Sequence, residues 1–257
     1  MTDAERPRGG YSRRRVLAGV ATSALALPLA GCSQRSGGDG TAGDGTTTRQ
    51  SGEDAGSDGQ DGGASDGGTD GTGSGGTLPS PVAGDPEADV TLAVFEDYAC
   101  PHCATYNQEG FPTVAAEFID PGTIRYEHHD LPLPVANPGS YEAANAARAV
   151  QDRAGDEAFY DYAHGLFENY GQIPGDGPAL YESLASDMGL DGGAIRDAAT
   201  NRAYRQTVQA DRQAGIDLGV SSTPTFVLNG EIVAEGWANS VLDTLREKID
   251  GATGATA

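Results

Sequence analysis

The chain has 257 residues, 38 of them glycine, and a formal net charge of −22 at pH 7 with Lys248 as its only lysine. That balance excludes nucleic acid as a partner, because binding phosphates takes clustered Lys and Arg. An acid-rich, lysine-poor surface keeps a chain soluble and self-repelling, a lever that halophiles use, so the composition points to a salt-loving source.

Residues 1–15 carry Arg6, Arg8, Arg13, Arg14 and Arg15 against Asp3 and Glu5, and the apolar run 16–31 follows at once. Sixteen residues rise ~24 Å as a helix, short of the ~30 Å hydrocarbon core. A basic start, a short apolar stretch and small residues at its end make a secretory signal. Arg13-Arg14, set between Ser12 and Arg15-Val16-Leu17, resembles the twin-arginine export signal. Leu29-Ala30-Gly31-Cys32 resembles the lipobox of exported lipoproteins. That likeness implies a signal peptide over residues 1–32, cleavage before Cys32, a lipid on its sulfur and tethering to the outer face of the membrane. It also accounts for the odd one of three cysteines.

Residues 33–77 are Gly, Asp, Ser and Thr with scarcely an aliphatic side chain. Low hydrophobicity and acidic repulsion predict a disordered spacer, with an end-to-end distance of roughly 40 Å for a flexible chain. Its Gly71-Thr72-Gly73-Ser74-Gly75-Gly76 follows no strand and precedes no helix, so it is not read as a phosphate-binding loop.

A globular composition begins at Leu78, giving a domain over residues 78–252. Val90 to Phe95 is a short apolar run, read as a buried strand. A helix should begin near Cys100, with Pro101 at its first position, kink at Phe111-Pro112 and run towards Phe118. Thr123 to His128 alternates and reads as the next strand. Residues 138–218 lack strand signals and read as helical. Phe159, Tyr162, Leu166 and Tyr170 recur at helical spacing as core, with Gly189 as a C-cap and Asp191 as the next N-cap. Thr225 to Leu228 and Glu231 to Ala234 flank Asn229-Gly230, a hairpin signal, and Ser240 to Ile249 closes the chain as a helix. Trp237 reads as packing. The order is β-α-β, several helices, β-β-α.

Cys100-Pro101-His102-Cys103 sits between the first strand and the first helix. A cysteine pair there reads as a redox-active dithiol. The metal alternative needs further ligands, typically a second cysteine pair, which the sequence lacks, so neither metal nor cofactor is expected. His128-His129-Asp130 is likewise not read as a metal site, because adjacent strand residues point to opposite faces. An ordinary strand end is expected there.

With this element order, the chain resembles the DsbA-type thiol:disulfide oxidoreductases over roughly residues 80–250. The likeness rests on Gly84-Asp85-Pro86, on Phe95 to Cys103, on Gly189-Leu190-Asp191 and on Gly219 to Gly230. It implies an α/β thioredoxin-like fold with a helical insertion over about residues 138–218, and the acidity fits a haloarchaeal source. It also implies Thr223-Pro224 as a cis-proline lying against the dithiol and binding substrate. Threonine at this place resembles isomerases as well as oxidases. Many relatives carry a buried acid six residues before the first cysteine, where this chain has Val94. Glu96 and Asp97 lie close in sequence, and one of them is a candidate substitute for that acid, although alternation puts the two on opposite faces.

Exchange needs a thiolate. Cys100, at a helix N-terminus and next to His102, is the expected nucleophile, and Cys103, one turn on, the resolving cysteine. The expected function is oxidation of cysteine pairs in exported proteins, with a redox partner recycling the dithiol. A reductase or isomerase is the alternative within enzymes. A non-catalytic substrate- or metal-binding lipoprotein with a static disulfide is the alternative outside them.

Overall fold

The structure, a computed structural model, describes residues 77–254. The export signal, Cys32 and nearly all of the spacer lie outside the described residues.

Five strands form one sheet in the order β1-β3-β2-β4-β5. They are β1 (Val82–Gly84), β2 (Thr91–Glu96), β3 (Arg125–Asp130), β4 (Thr225–Leu228) and β5 (Glu231–Glu235). The central β2 runs parallel to β3 and antiparallel to β4. Side chains alternate, so Leu92, Val94 and Glu96 share one face while Ala93 and Phe95 take the other. The β2–β3 register sets Val94 beside His128 and Glu96 beside Asp130. Asn229 (φ 48) and Gly230 (φ 86) turn the β4–β5 hairpin with both residues left-handed, as the Asn-Gly signal requires. The three-residue β1 was not legible, being too short to show alternation. It pairs antiparallel with β3.

Between β2 and β3 the chain is helical from Pro101 to Ile119: α1 (Pro101–Thr105), a π turn, α2 (Phe111–Val114) and a second π turn. The expected kink at Pro112 takes the form of a widened ladder, with the Phe111 N–H donating to the Tyr106 carbonyl five residues back. A proline ring clashes with the carbonyl four residues before it, and π turns are one way a helix absorbs such a misfit. Helices α3 (Gly139–Glu168), α4 (Ile173–Asp187), α5 (Gly192–Thr200) and α6 (Arg205–Leu218) fill the insertion, and α7 (Asn239–Thr253) closes the chain. Gly155 (φ 84, ψ −178) breaks α3 in two. Gly189 is left-handed, and the Asp191 side chain accepts from the Ala194 N–H at 3.0 Å, capping α5.

The large core holds Leu92, Val94, Tyr98, Cys103, Tyr106 and Phe226 together with the buried faces of α3–α5 and α7. The second face of the sheet has a small cluster of Phe95, Leu131, Val220 and Val227. There α6 approaches at Gly215, where a Cβ would meet the Phe95 ring at 3.0 Å.

Candidate active site

Cys100 is the N-cap of α1, in extended conformation, with Pro101 next, where a missing N–H is harmless. A tight turn delivers it: its N–H donates to the Asp97 carbonyl at 2.9 Å. Asp97 pins that turn. Its carboxylate accepts from the N–H groups of Ala99 (2.9 Å) and Leu133 (2.8 Å) and from the Ser140 hydroxyl (3.0 Å). With its oxygens so occupied, Asp97 holds the strand, the helix and α3 in register.

Both cysteines are thiols, and their surroundings differ sharply. Cys100 is partly exposed and Cys103 is 0% exposed. The Cys100 thiol is lowered to about 5, chiefly by the hydrogen bond from Cys103. The Thr223 side chain and the backbone N–H groups of Cys103 and His102 add to that, against partial burial. As a thiol, Cys100 donates to the Thr223 carbonyl at 3.5 Å. The buried Thr223 hydroxyl has no other partner among the described residues, so it is free to donate once Cys100 ionises. Cys103 is pushed well above the ordinary thiol range, first by burial, then by Cys100 and by Glu96.

The other predicted residues gather around the pair. Pro101 and His102 are exposed at the rim. The Thr223–Pro224 peptide is cis, Thr223 is 6% exposed, and the Pro224 carbonyl accepts from the Gly236 N–H at 2.7 Å. A second cis peptide, Asn137–Pro138, was not foreseen. Trp237 packs over Gly110 and Tyr106, its ring 4.9 Å from that of Tyr106.

A floor of buried charge reaches Cys103 through Glu96, and of its members the sequence pointed only to Glu96, as a substitute for the acid absent at Val94. Glu96 is 2% exposed, and burial raises its carboxyl. Its Oε2 is 3.3 Å from His128 Nδ1, while Oε1 has no protein partner among the described residues. His128 Nε2 is 3.4 Å from Asp130 Oδ1 and 3.1 Å from the Tyr98 hydroxyl. Arg148, fully buried on α3, donates from Nε to Asp130 Oδ2 at 2.6 Å and reaches Asp211 of α6 through its terminal nitrogen. Burial alone would raise Asp130, but Arg148 and His128 outweigh it and hold the carboxyl down at about 2. His129 lies on the opposite face, stacked on Phe95 at 4.7 Å and bracketed by Glu127 and Asp211. Thus β3 is not an ordinary strand end: its buried positions are Tyr126, His128 and Asp130. One sequence signal was at hand. Arg148 interrupts the run Ala146-Ala147-Arg148-Ala149-Val150, and an arginine on a buried face demands carboxylates.

Residues 77–250 match the family model described as Thioredoxin. Disulfide bond formation protein D of Bacillus subtilis (strain 168) is 26% identical over 176 residues, covering 66% of this chain and 78% of that protein. The Na(+)/H(+) antiporter NhaA 1 of Salinispora arenicola (strain CNS-205) is 33% identical over 150 residues, 58% of this chain. The match spans only 21% of the antiporter's length, so the likeness is to one segment of that protein. Among solved structures, oxidised BdbD from Bacillus subtilis superposes with a TM-score of 0.60 at 25% identity, covering 68% of this chain and 93% of that one.

Proposed function

The chain belongs to the thioredoxin family and is a thiol:disulfide oxidoreductase similar to the DsbA/BdbD enzymes, and from that premise we propose that it oxidises cysteine pairs in exported proteins. One contrast carries this direction: hydrogen bonding, first from Cys103, lowers the Cys100 thiol to about 5, while burial pushes Cys103 high. Near neutral pH a thiol of that kind is ionised by about 100 to 1. Holding one sulfur as a stabilised thiolate favours the reduced enzyme, so its disulfide is a strong oxidant. Two decades of ionisation correspond to ~60 mV for a two-electron couple.

In the oxidising direction, a substrate thiolate attacks Cys100 Sγ, the accessible sulfur of the enzyme disulfide. The S–S bond breaks, and Cys103 leaves with the electron pair. A high-pKa sulfur leaves poorly unless it is protonated. Glu96 is the group to supply that proton, being buried, raised by burial and electrostatically coupled to Cys103. It stands two residues after Val94 on the same strand face, which answers for the acid absent there. The second substrate thiolate then attacks the substrate sulfur of the mixed disulfide. A substrate disulfide forms and Cys100 leaves as a thiolate, readily because its pKa is low. The substrate has lost two electrons, which a redox partner must later collect from the dithiol.

We place this chemistry outside the cytoplasm. The Arg13-Arg14 signal and the short apolar run after it support export, and Cys32 is the proposed lipid attachment. Among the described residues no helix is long and apolar enough to cross a membrane. Cys32→Ser should release the mature protein from membranes in fractionation, and retention of that variant would contradict the anchor.

The reduction potential tests the direction. We expect it well above the ~−270 mV of thioredoxin, about −200 mV or higher. A value at or below thioredoxin's would favour the reductase. Cys103→Ser should accumulate mixed disulfides on Cys100. Failure to trap any, together with no exchange by the intact dithiol, would favour a non-catalytic binding protein.

A further inference from the structure

His128 lies 2% exposed between three polar neighbours and two rings, Tyr98 stacked on it at 5.4 Å and Phe159 edge-on. From β2, Glu96 Oε2 meets its Nδ1 at 3.3 Å. From β3, Asp130 Oδ1 meets its Nε2 at 3.4 Å, and the Tyr98 hydroxyl approaches the same nitrogen at 3.1 Å. From α3, Phe159 stands edge-on at 5.2 Å, and Arg148 binds the far oxygen of Asp130. Arg148 is bound in turn by Asp211 of α6.

A neutral imidazole has one bare nitrogen that can only accept. Here Nδ1 faces Glu96 Oε2, while Nε2 lies between Asp130 Oδ1, whose carboxylate is tied to Arg148, and the Tyr98 hydroxyl, which can donate or accept. With the Glu96 proton on its unpartnered Oε1, acceptor oxygens stand at both nitrogens, an arrangement that favours protons on both and makes the ring a cation. The buried set then holds two cations, His128 and Arg148, against three acids, Glu96, Asp130 and Asp211. It is neutral while Glu96 keeps its proton and carries one negative charge when Glu96 gives it up. That charge arises beside a ring whose own proton points at it.

We propose that His128 is a positioning residue of the exchange reaction: a standing imidazolium that serves as counter-ion to the carboxylate formed on Glu96 when Cys103 leaves the disulfide and takes its proton. The inference rests on the role given to Glu96 above. The S–S electron pair goes to Cys103 Sγ, the proton moves from Glu96 to that sulfur, and none leaves or enters His128. Burial and the two carboxylates act oppositely on the ring, and the carboxylates prevail, leaving it raised.

The test is single-turnover reduction of the oxidised protein by a peptide dithiol, followed against pH, in wild type, Glu96→Gln, His128→Gln and His128→Lys. Without its counter-ion Glu96 should hold its proton more tightly. His128→Gln is therefore expected to move the Glu96 inflection up by at least about one pH unit and to slow the reaction about tenfold near neutrality. His128→Lys, which keeps the charge, should recover most of that rate. A His128→Gln profile with an unmoved inflection, or a His128→Lys as slow as His128→Gln, overturns the proposal. Wild-type rates in Glu96→Gln would instead remove the premise. Should His128→Gln not fold, the ring nitrogen shifts of His128 in the wild-type protein decide. Two protonated nitrogens at neutral pH in both redox states support the proposal, and one bare nitrogen overturns it.

Discussion

Cys100 and Cys103 are one helical turn apart, yet each belongs to a different region. The rim around Cys100 is partly open and built from dipoles: first the Cys103 S–H, then the Thr223 hydroxyl, two backbone N–H groups and the start of a helix that continues to Ile119. The floor that reaches Cys103 through Glu96 is buried and built from ionisable side chains: Glu96, whose burial favours the neutral acid, and the charged His128, Asp130, Arg148 and Asp211. Dipoles favour a thiolate without burying any counter-charge, and they keep the nucleophile reachable. Ionisable side chains in a buried floor can hold and release a proton, but only as a complete set, because an unpaired buried ion is costly. The same residue type is thereby driven in opposite directions across four positions.

This contrast can be broken first at the floor. Arg148→Met would strand Asp130 and Asp211, and we expect a loss of about 3–5 kcal/mol in both redox states, measured by denaturant unfolding. A loss under about 1 kcal/mol would show that the floor is not an interdependent set. Asp130 gives the matching pH signature. Its folded pKa, lowered to about 2, lies below the ordinary value of 3.8, so its contribution is complete above about pH 4 and lost as pH falls towards 2.

The rim is tested by the redox dependence of stability. Cys100 falls from 9.0 to about 5, so its thiolate stabilises the folded dithiol fully above about pH 9, and that support is lost as pH falls through 5. The disulfide form has no such thiolate. Stability of the reduced protein relative to the oxidised one should therefore rise between pH 5 and 9. The rise should be about 3 kcal/mol, once the partial exposure of Cys100 is discounted. A difference independent of pH would contradict it.

The smallest effect should come from one rim donor. Thr223→Val removes a hydroxyl and keeps the shape, and we expect Cys100 to titrate about one unit higher, the worth of one hydrogen bond to a charged group. An unmoved titration would mean that the hydroxyl does not turn towards the thiolate.

The rim was largely legible in the sequence, because its parts are local. Cys100, Pro101, His102 and Cys103 are contiguous, and Thr223-Pro224 opens a strand preceding an unmistakable Asn-Gly hairpin. The floor was not, because it depends on register between distant segments. Val94 occupied the place where an acid was sought, and only the pairing of β2 with β3 brings Glu96 beside Asp130 and His128 onto their face. Arg148 comes from the alanine-rich half of α3 before the Gly155 break, where no stripe of large apolar residues shows which face is buried. The edge strand β1 escaped for the opposite reason, having too few residues to carry a pattern.

The ionisation of Cys100 is the property on which the direction of exchange depends most. Thiolate absorbance of the reduced protein, titrated with Cys100→Ala as the blank, measures it directly. We predict one thiol ionising near pH 5, absent from Cys100→Ala, with Cys103 silent through neutral pH. An ionisation near the ordinary thiol value of about 8.5, or one that persists without Cys100, would contradict the account.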